Sequence, residues 1–248
     1  MSIALACLAA FFAGLVDAMA GGGGLIQVPA VFALMPDAPV ATVLGTNKGA
    51  AFWGTAAAAI RYARSVPLPW RSVGLAAGAA GVASAAGAML ARGLDASVLR
   101  PAILVALVLV AGFTFLRPDF GKLAGGVERP WLATALGAAI GLYDGMIGPG
   151  TGTFLIVAFI ATLGLDFLGA GAGAKVVNAT TNLAAILVFA WGGNIRWDWS
   201  IPMAVSSVAG NLIGARIALA RGSGWVRTVF LVVSVALVGK LALDVYGS

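Results

Sequence analysis

Two glycine-rich segments set deep in apolar sequence restrict what this chain can become. The first, GLVDAMAGGGG at 14–24, returns as GLYDGMIGPGTG at 141–152. Asp17 and Asp144, Met19 and Met146, Gly21 and Gly148, and Gly23 and Gly150 match at an offset of 127 residues. The same offset aligns Lys48 with Lys175, Trp70 with Trp197, Gly87 with Gly214 and Arg100 with Arg227. The chain reads as a tandem duplication, one repeat over 1–121 and a second over 128–248. Consecutive glycines make a poor helix, each costing about 1 kcal/mol against alanine. A run of four, with its echo in the second copy, therefore marks a break in helical structure and a candidate working part.

The surroundings of those breaks are membrane-like. Hydrophobic residues make up 61% of the chain and charged residues 10%, against about 25% charged in soluble domains. Mean hydropathy is +1.02. Apolar stretches of about 20 residues, long enough to cross a bilayer, recur along the whole length. The net charge of +6 sits mostly in short connections and not in a basic stripe with interleaved aromatics, so no nucleic-acid partner is expected. The chain has no histidine and a single cysteine, Cys7. That composition leaves no imidazole metal site, no nucleophile set for a membrane-embedded enzyme and no need for a cofactor. No ATP-binding motif is present, so an ion gradient would have to drive any uphill movement. Ala18-Met19-Ala20 resembles a signal-peptide cleavage site, but no basic residue precedes the apolar run and the motif recurs at Asp144. A retained membrane segment is expected.

In order, the apolar blocks are 3–35, 40–62, 73–91 and 98–116, then 131–164, 167–191, 199–220 and 225–246. The polar stretch 117–130 is the hinge between copies. Counting each glycine-broken block as one crossing gives four spans per repeat and eight in all. One side then carries Arg61, Arg64, Arg71, Arg117, Lys122, Arg129 and Arg196, and the other Arg92, Arg100, Arg221 and Arg227. The excess on the first side puts it, and both termini, in the cytoplasm. The broken blocks are nevertheless long for a single crossing, about 50 Å as continuous helix. Each is equally readable as a span plus a re-entrant half-helix, or as two spans. An even count makes the repeats parallel and an odd count makes them inverted; the sequence leaves that choice open.

Candidate site residues gather at the breaks. Close helix packing explains most of the 35 glycines, but packing wants small residues on one face, not in succession. Gly21, Gly22, Gly23 and Gly24, and Gly148, Gly150, Thr151 and Gly152, therefore read as unwound segments, tolerated at membrane depth only beside protein or a water cavity. Half-helices starting near Leu25 and Thr153 would aim positive ends and free N–H groups at the breaks, as anion sites do. Lys48 and Lys175 lie eight or nine residues inside their blocks, too deep to snorkel to the interface, and a bound anion or Asp17 and Asp144 are their obvious partners. The aspartates serve either as structural partners of the lysines or in proton coupling. Asn47, Asn178 and Asn182 complete the substrate-binding set, with 175, 178 and 182 on one helical face. Asn211 and Arg216 stand where the first copy has Ser84 and Met89, which suggests that one half holds more of the substrate. The tryptophans mostly mark block ends and read as interfacial anchors.

At these motifs the chain resembles the sulfite exporter TauE/SafE family of membrane permeases. The likeness is carried by AGLVDAMAGGGGLIQVPA (13–30), LGTNKGA (44–50), GLYDGMIGPGTGTFL (141–155) and AKVVNATTNLA (174–184), and runs over the whole chain. It implies movement of small anions: sulfite, organosulfonates and related carboxylates. The resulting expectation is an all-α polytopic membrane protein of two sequence-related repeats, each of about four transmembrane helices with a Gly-rich broken or re-entrant segment. It would be a secondary transporter in the plasma membrane of a prokaryote, proton-coupled, with an anion channel or uncoupled facilitator as the alternative. Its partners would be the substrate anion and the lipid bilayer; the sequence leaves self-association into a homo-oligomer open.

Overall fold

A computed structural model describes residues 2–93 and 128–246, with side chains through residue 232. The expected block at 98–116 and most of the hinge lie outside the described residues, as do Arg100, Arg117 and Lys122. Every regular element among the described residues is an α-helix. In chain order these are α1 (Ser2–Ala20), α2 (Gly24–Leu34), α3 (Val40–Ala63), α4 (Trp70–Gly93), α5 (Pro130–Met146), α6 (Thr151–Leu163), α7 (Phe167–Trp191) and α8 (Trp197–Tyr246). Helix α8 is interrupted at Gly222, whose φ of 76° and ψ of −175° are not helical. Four stretches are long and apolar enough to cross a bilayer: Ser2–Ala20, Trp70–Gly93, Phe167–Trp191 and Trp197–Val232. Helix α3 has the length, at 24 residues, but carries the polar run Thr46-Asn47-Lys48. With 11 and 13 residues, α2 and α6 are too short to cross alone.

Each glycine-rich break reverses the chain. Ala6 and Ala10, from the start of α1, share an apolar cluster with Val31 and Met35, from the end of α2. A straight continuation would set Ala6 and Met35 about 40 Å apart. The second break turns the chain back likewise: Ala133 near the start of α5 clusters with Ile160 and Leu163 at the end of α6, and the Arg129 amide donates to Thr162 O at 2.7 Å.

The apolar clusters also give the running direction of every helix. One end of the molecule holds Ala18 to Ala20 of α1, Ala58 and Tyr62 of α3, Val73 to Ala80 of α4, Ala133 of α5, Phe159 of α6, Phe167 of α7 and Ala215 to Val226 of α8. The other end holds Ala6 of α1, Val43 of α3 and Met203 of α8, with Ala88 of α4, Ile147 beyond α5 and Phe189 of α7. Helices α1, α3 and the first part of α8 run one way, and α4, α5 and α7 run the other. Paired backbone approaches agree, with Ala76, Ala80 and Ser84 of α4 meeting Gly137, Gly141 and Gly145 of α5 in step. Tyr62 Oη, donating to Ala18 O at 2.7 Å, ties the ends of α3 and α1.

This arrangement corrects the sorting of basic residues. Arg196 opens α8 at the same end as Arg92, whose guanidinium lies against Gly192. Arg221 and Arg227 lie at the opposite end, with Arg61, Arg64, Arg71 and Arg129, because α8 passes Ala215 and Val226 in the cluster that also holds Tyr62 and Ala133. The discrepancy has one source. Counting the second broken block as one crossing inverts the direction of every later helix, whereas the chain turns back at that break.

Candidate functional site

The two breaks meet. Gly21 has φ +74° and Gly148 φ +95°, left-handed values that favour glycine. A side chain on Gly21 would fall 2.5 Å from the carbonyl carbon of Gly152, so the backbones of the two segments touch. Thr153 Oγ1 donates across to Ala20 O at 3.4 Å. From this junction α2 and α6 leave for opposite ends of the molecule, their N-terminal ends together at the centre. The first turns are closed locally, by Leu25 N to Gly22 O and Ile26 N to Gly23 O at 3.0 Å, and by Thr151 N to Gly148 O at 3.3 Å.

The charges at the junction are paired between the two halves of the sequence. Lys48 Nζ lies 2.7 Å from Asp144 Oδ2, and Lys175 Nζ lies 2.6 Å from Asp17 Oδ2. The sequence pointed to both lysines and both aspartates but left the partners open. Each carboxylate has further support. Thr151 Oγ1 reaches Asp144 Oδ1 at 2.6 Å, while Gly23 N and Thr55 Oγ1 each lie 3.4 Å from Asp17. Two cations and two anions, all buried, make the junction electrically balanced. Buried pairs of this kind are sustained by geometry and added hydrogen bonds, not by net attraction alone.

A cavity of about 40 Å³ sits at the junction. One water needs about 10–15 Å³ on this measure, so the space suits a few waters or a compact ligand. Its lining includes the predicted Asp17, Gly21, Gly23, Gly24, Asn47, Lys48, Asp144, Gly148, Gly150, Thr151, Gly152, Asn178 and Asn182. Gly22 and Lys175 are not among the lining residues. The two lysines thus differ in setting: Lys48 faces the cavity, while Lys175, 1% exposed, is committed to Asp17. On α7, Asn178 and Asn182 bond each other at 3.4 Å.

Sequence reasoning misses four polar lining residues: Gln27, Thr55, Ser207 and, as a site member, Asn211. A signal for Gln27 exists, as the one polar side chain in the apolar run Leu25 to Val31. Asn211 stands out in sequence only as an asymmetry between the copies. Arg216, which shares that asymmetry, is exposed and outside the lining. No group of three or more metal-ligating side chains occurs among the described residues.

The chain is similar to known proteins over nearly its whole length. The family model for sulfite exporter TauE/SafE matches residues 6–241. The probable membrane transporter protein YfcA of Escherichia coli K12 is 33% identical over 242 residues, covering 96% of this chain and 88% of that protein. The probable membrane transporter protein ORF9 of a Sinorhizobium species is 32% identical, with 98% and 93% covered. A probable membrane transporter protein of Haemophilus influenzae is 33% identical, with 94% and 92% covered. No solved structure matches the chain.

Proposed function

Because this chain belongs to the TauE/SafE sulfite exporter family and is a polytopic membrane transporter, we propose that it carries a small anion through the junction of the two breaks. The anion is sulfite, an organosulfonate or a related carboxylate. The observation behind this reading is Lys48, a buried ammonium that faces a cavity at which two helix N-termini converge. Helix N-termini and a lysine both favour negative charge. An anion that engages Lys48 competes with Asp144 for the same ammonium, and a proton taken up by Asp144 relieves the competition. Anion and proton then travel together, as symport.

The architecture under this reading is a pair of inverted repeats, residues 1–121 and 128–248, with α1–α2 and α5–α6 as re-entrant hairpins entering from opposite sides. Matched elements run in opposite directions, α1 against α5 and α4 against the first part of α8, which supports it. The positive-inside rule then favours the end carrying Arg61, Arg64, Arg71, Arg129, Arg221 and Arg227 as cytoplasmic in a prokaryotic plasma membrane. The start of α1 lies at the other end, so the N-terminus is extracytoplasmic, the reverse of the sequence expectation.

Uptake of radiolabelled sulfite and ethanesulfonate into proteoliposomes tests the reading. Lys48→Met should weaken anion binding by about 1–3 kcal/mol, the scale of a charge-assisted hydrogen bond. Unchanged affinity would remove Lys48 from the site. Asp144→Asn should keep anion exchange but lose acceleration by an imposed pH gradient. A variant that still responds like the parent, or saturation-free conductance in the parent, would favour an uncoupled facilitator or channel.

A further inference from the structure

Besides Asp144 Oδ2, which is ion-paired with Lys48, three buried polar atoms on cavity-lining residues have no hydrogen-bond partner: Gln27 Nε2, Asn47 Oδ1 and Asn211 Oδ1. Their residues are 3%, 5% and 1% exposed. Burying a polar group without a partner forfeits its hydrogen bonds to water, so such atoms usually meet a ligand or water. An anion without protons only accepts hydrogen bonds. It would satisfy Gln27 Nε2 and Lys48 but would do nothing for an unpaired carbonyl oxygen.

Asn211 is the firmest case, because its orientation is fixed. Its Nδ2 donates to Ser207 O at 3.0 Å, and exchanging the amide's oxygen and nitrogen would set two oxygens against each other. The unpartnered atom is therefore an acceptor. Two glycines from two other helices make room for this amide. A side chain on Gly14 of α1 would fall 2.7 Å from Asn211 Nδ2, and one on Gly54 of α3 would collide with the same atom. At the matched position of the first copy stands Ser84, whose hydroxyl donates to Thr181 O at 2.9 Å and is spent on packing. The second copy thus carries an unpartnered acceptor on a cavity-lining residue where the first carries none.

We propose that the cavity's ligand is a small oxyanion that also carries an O–H or N–H donor, and that Asn211 Oδ1 receives that donor. This rests on the anion-transport reading. The oxyanion end takes Lys48 and Gln27 Nε2, while the donor end turns toward α8. Asn211 thereby selects among small anions by what they carry besides charge.

The test compares matched probes that differ by one hydroxyl: 2-hydroxyethanesulfonate against ethanesulfonate, and hydroxyacetate against acetate. Full-length protein in proteoliposomes should favour the hydroxylated member of a pair by about tenfold or more in uptake KM, since sites built to bond a substrate hydroxyl reject analogues lacking it. Asn211→Leu should abolish that preference, with its fold checked by a monodisperse elution and an unchanged thermal unfolding midpoint in detergent. Asn211→Ser, which restores a hydroxyl acceptor, should recover part of the preference, and it decides the question if the leucine variant is inactive. A parent that takes both members of each pair alike overturns this inference alone and leaves the acceptor to water. Retention of the preference in Asn211→Leu also overturns it. A parent that takes sulfite but no member of either pair overturns this inference alone, and one that takes none of these anions overturns the transport reading together with it.

Discussion

At the residue scale, burial separates two lysines that look equivalent in sequence. Lys48 and Lys175 occupy matched positions, and each is paired to the aspartate of the other half at 2.7 and 2.6 Å. Only Lys48 lines the cavity. Removing Lys175 leaves Asp17 as an uncompensated charge among buried neighbours, a loss of roughly 3–5 kcal/mol. Lys175→Met should accordingly lower the thermal unfolding midpoint in detergent, and adding Asp17→Asn should recover much of it, because the double variant removes both charges. A midpoint unchanged by Lys175→Met would show that the pair contributes nothing to stability. The spacing of 175, 178 and 182 places these residues on one face, yet the long lysine side chain turns to Asp17 while the short asparagines stay with the cavity. Helical periodicity gives a direction from the axis; it does not say which neighbour a flexible side chain reaches.

At the element scale, the breaks act through backbone. Gly150 caps α6 with φ 82° and ψ −1°, a conformation that costs an L-residue about 1–2 kcal/mol. Gly150→Ala should therefore destabilise by about that amount while leaving the two segments in contact. Gly21→Ala carries the same conformational strain, at φ +74°, and also drives a methyl toward Gly152. It should cost more, and it should reduce uptake disproportionately, because relief requires the two breaks to separate. Comparing unfolding midpoints with initial uptake rates for the two variants checks this, and equal losses in both measures would count against contact between the breaks as a functional feature. That helices would be interrupted near 21–24 and 148–152 is readable from glycine's helix propensity, though the breaks span 21–23 and 147–150, with Gly24, Thr151 and Gly152 already helical. That the chain reverses there is not, since the same glycines permit a straight unwound segment.

At the scale of the whole molecule, the direction of each helix makes a topological prediction. In a variant lacking Cys7, cysteines placed at Asp37 and Asp198 should react together from one side of the membrane. Cysteines at Ser65 and Glu128 should react together from the other. All four positions are exposed. With the basic end cytoplasmic, the first pair labels in intact cells with an impermeant maleimide and the second only after permeabilisation. Labelling of the Asp198 and Ser65 positions from the same face would refute the fold-back at the second break. The solvent, the helices, the location of the breaks and the identity of the charged groups are legible in the residues themselves, because these follow from hydropathy, propensity and the cost of an unpaired charge in lipid. Three-dimensional packing alone settles the crossed pairing of Lys48 with Asp144 and Lys175 with Asp17, the sides on which Arg196, Arg221 and Arg227 lie, and the place of Gln27 and Asn211 at the cavity. Those depend on which helix packs beside which and in what direction, and a glycine that permits a reversal does not by its presence impose one.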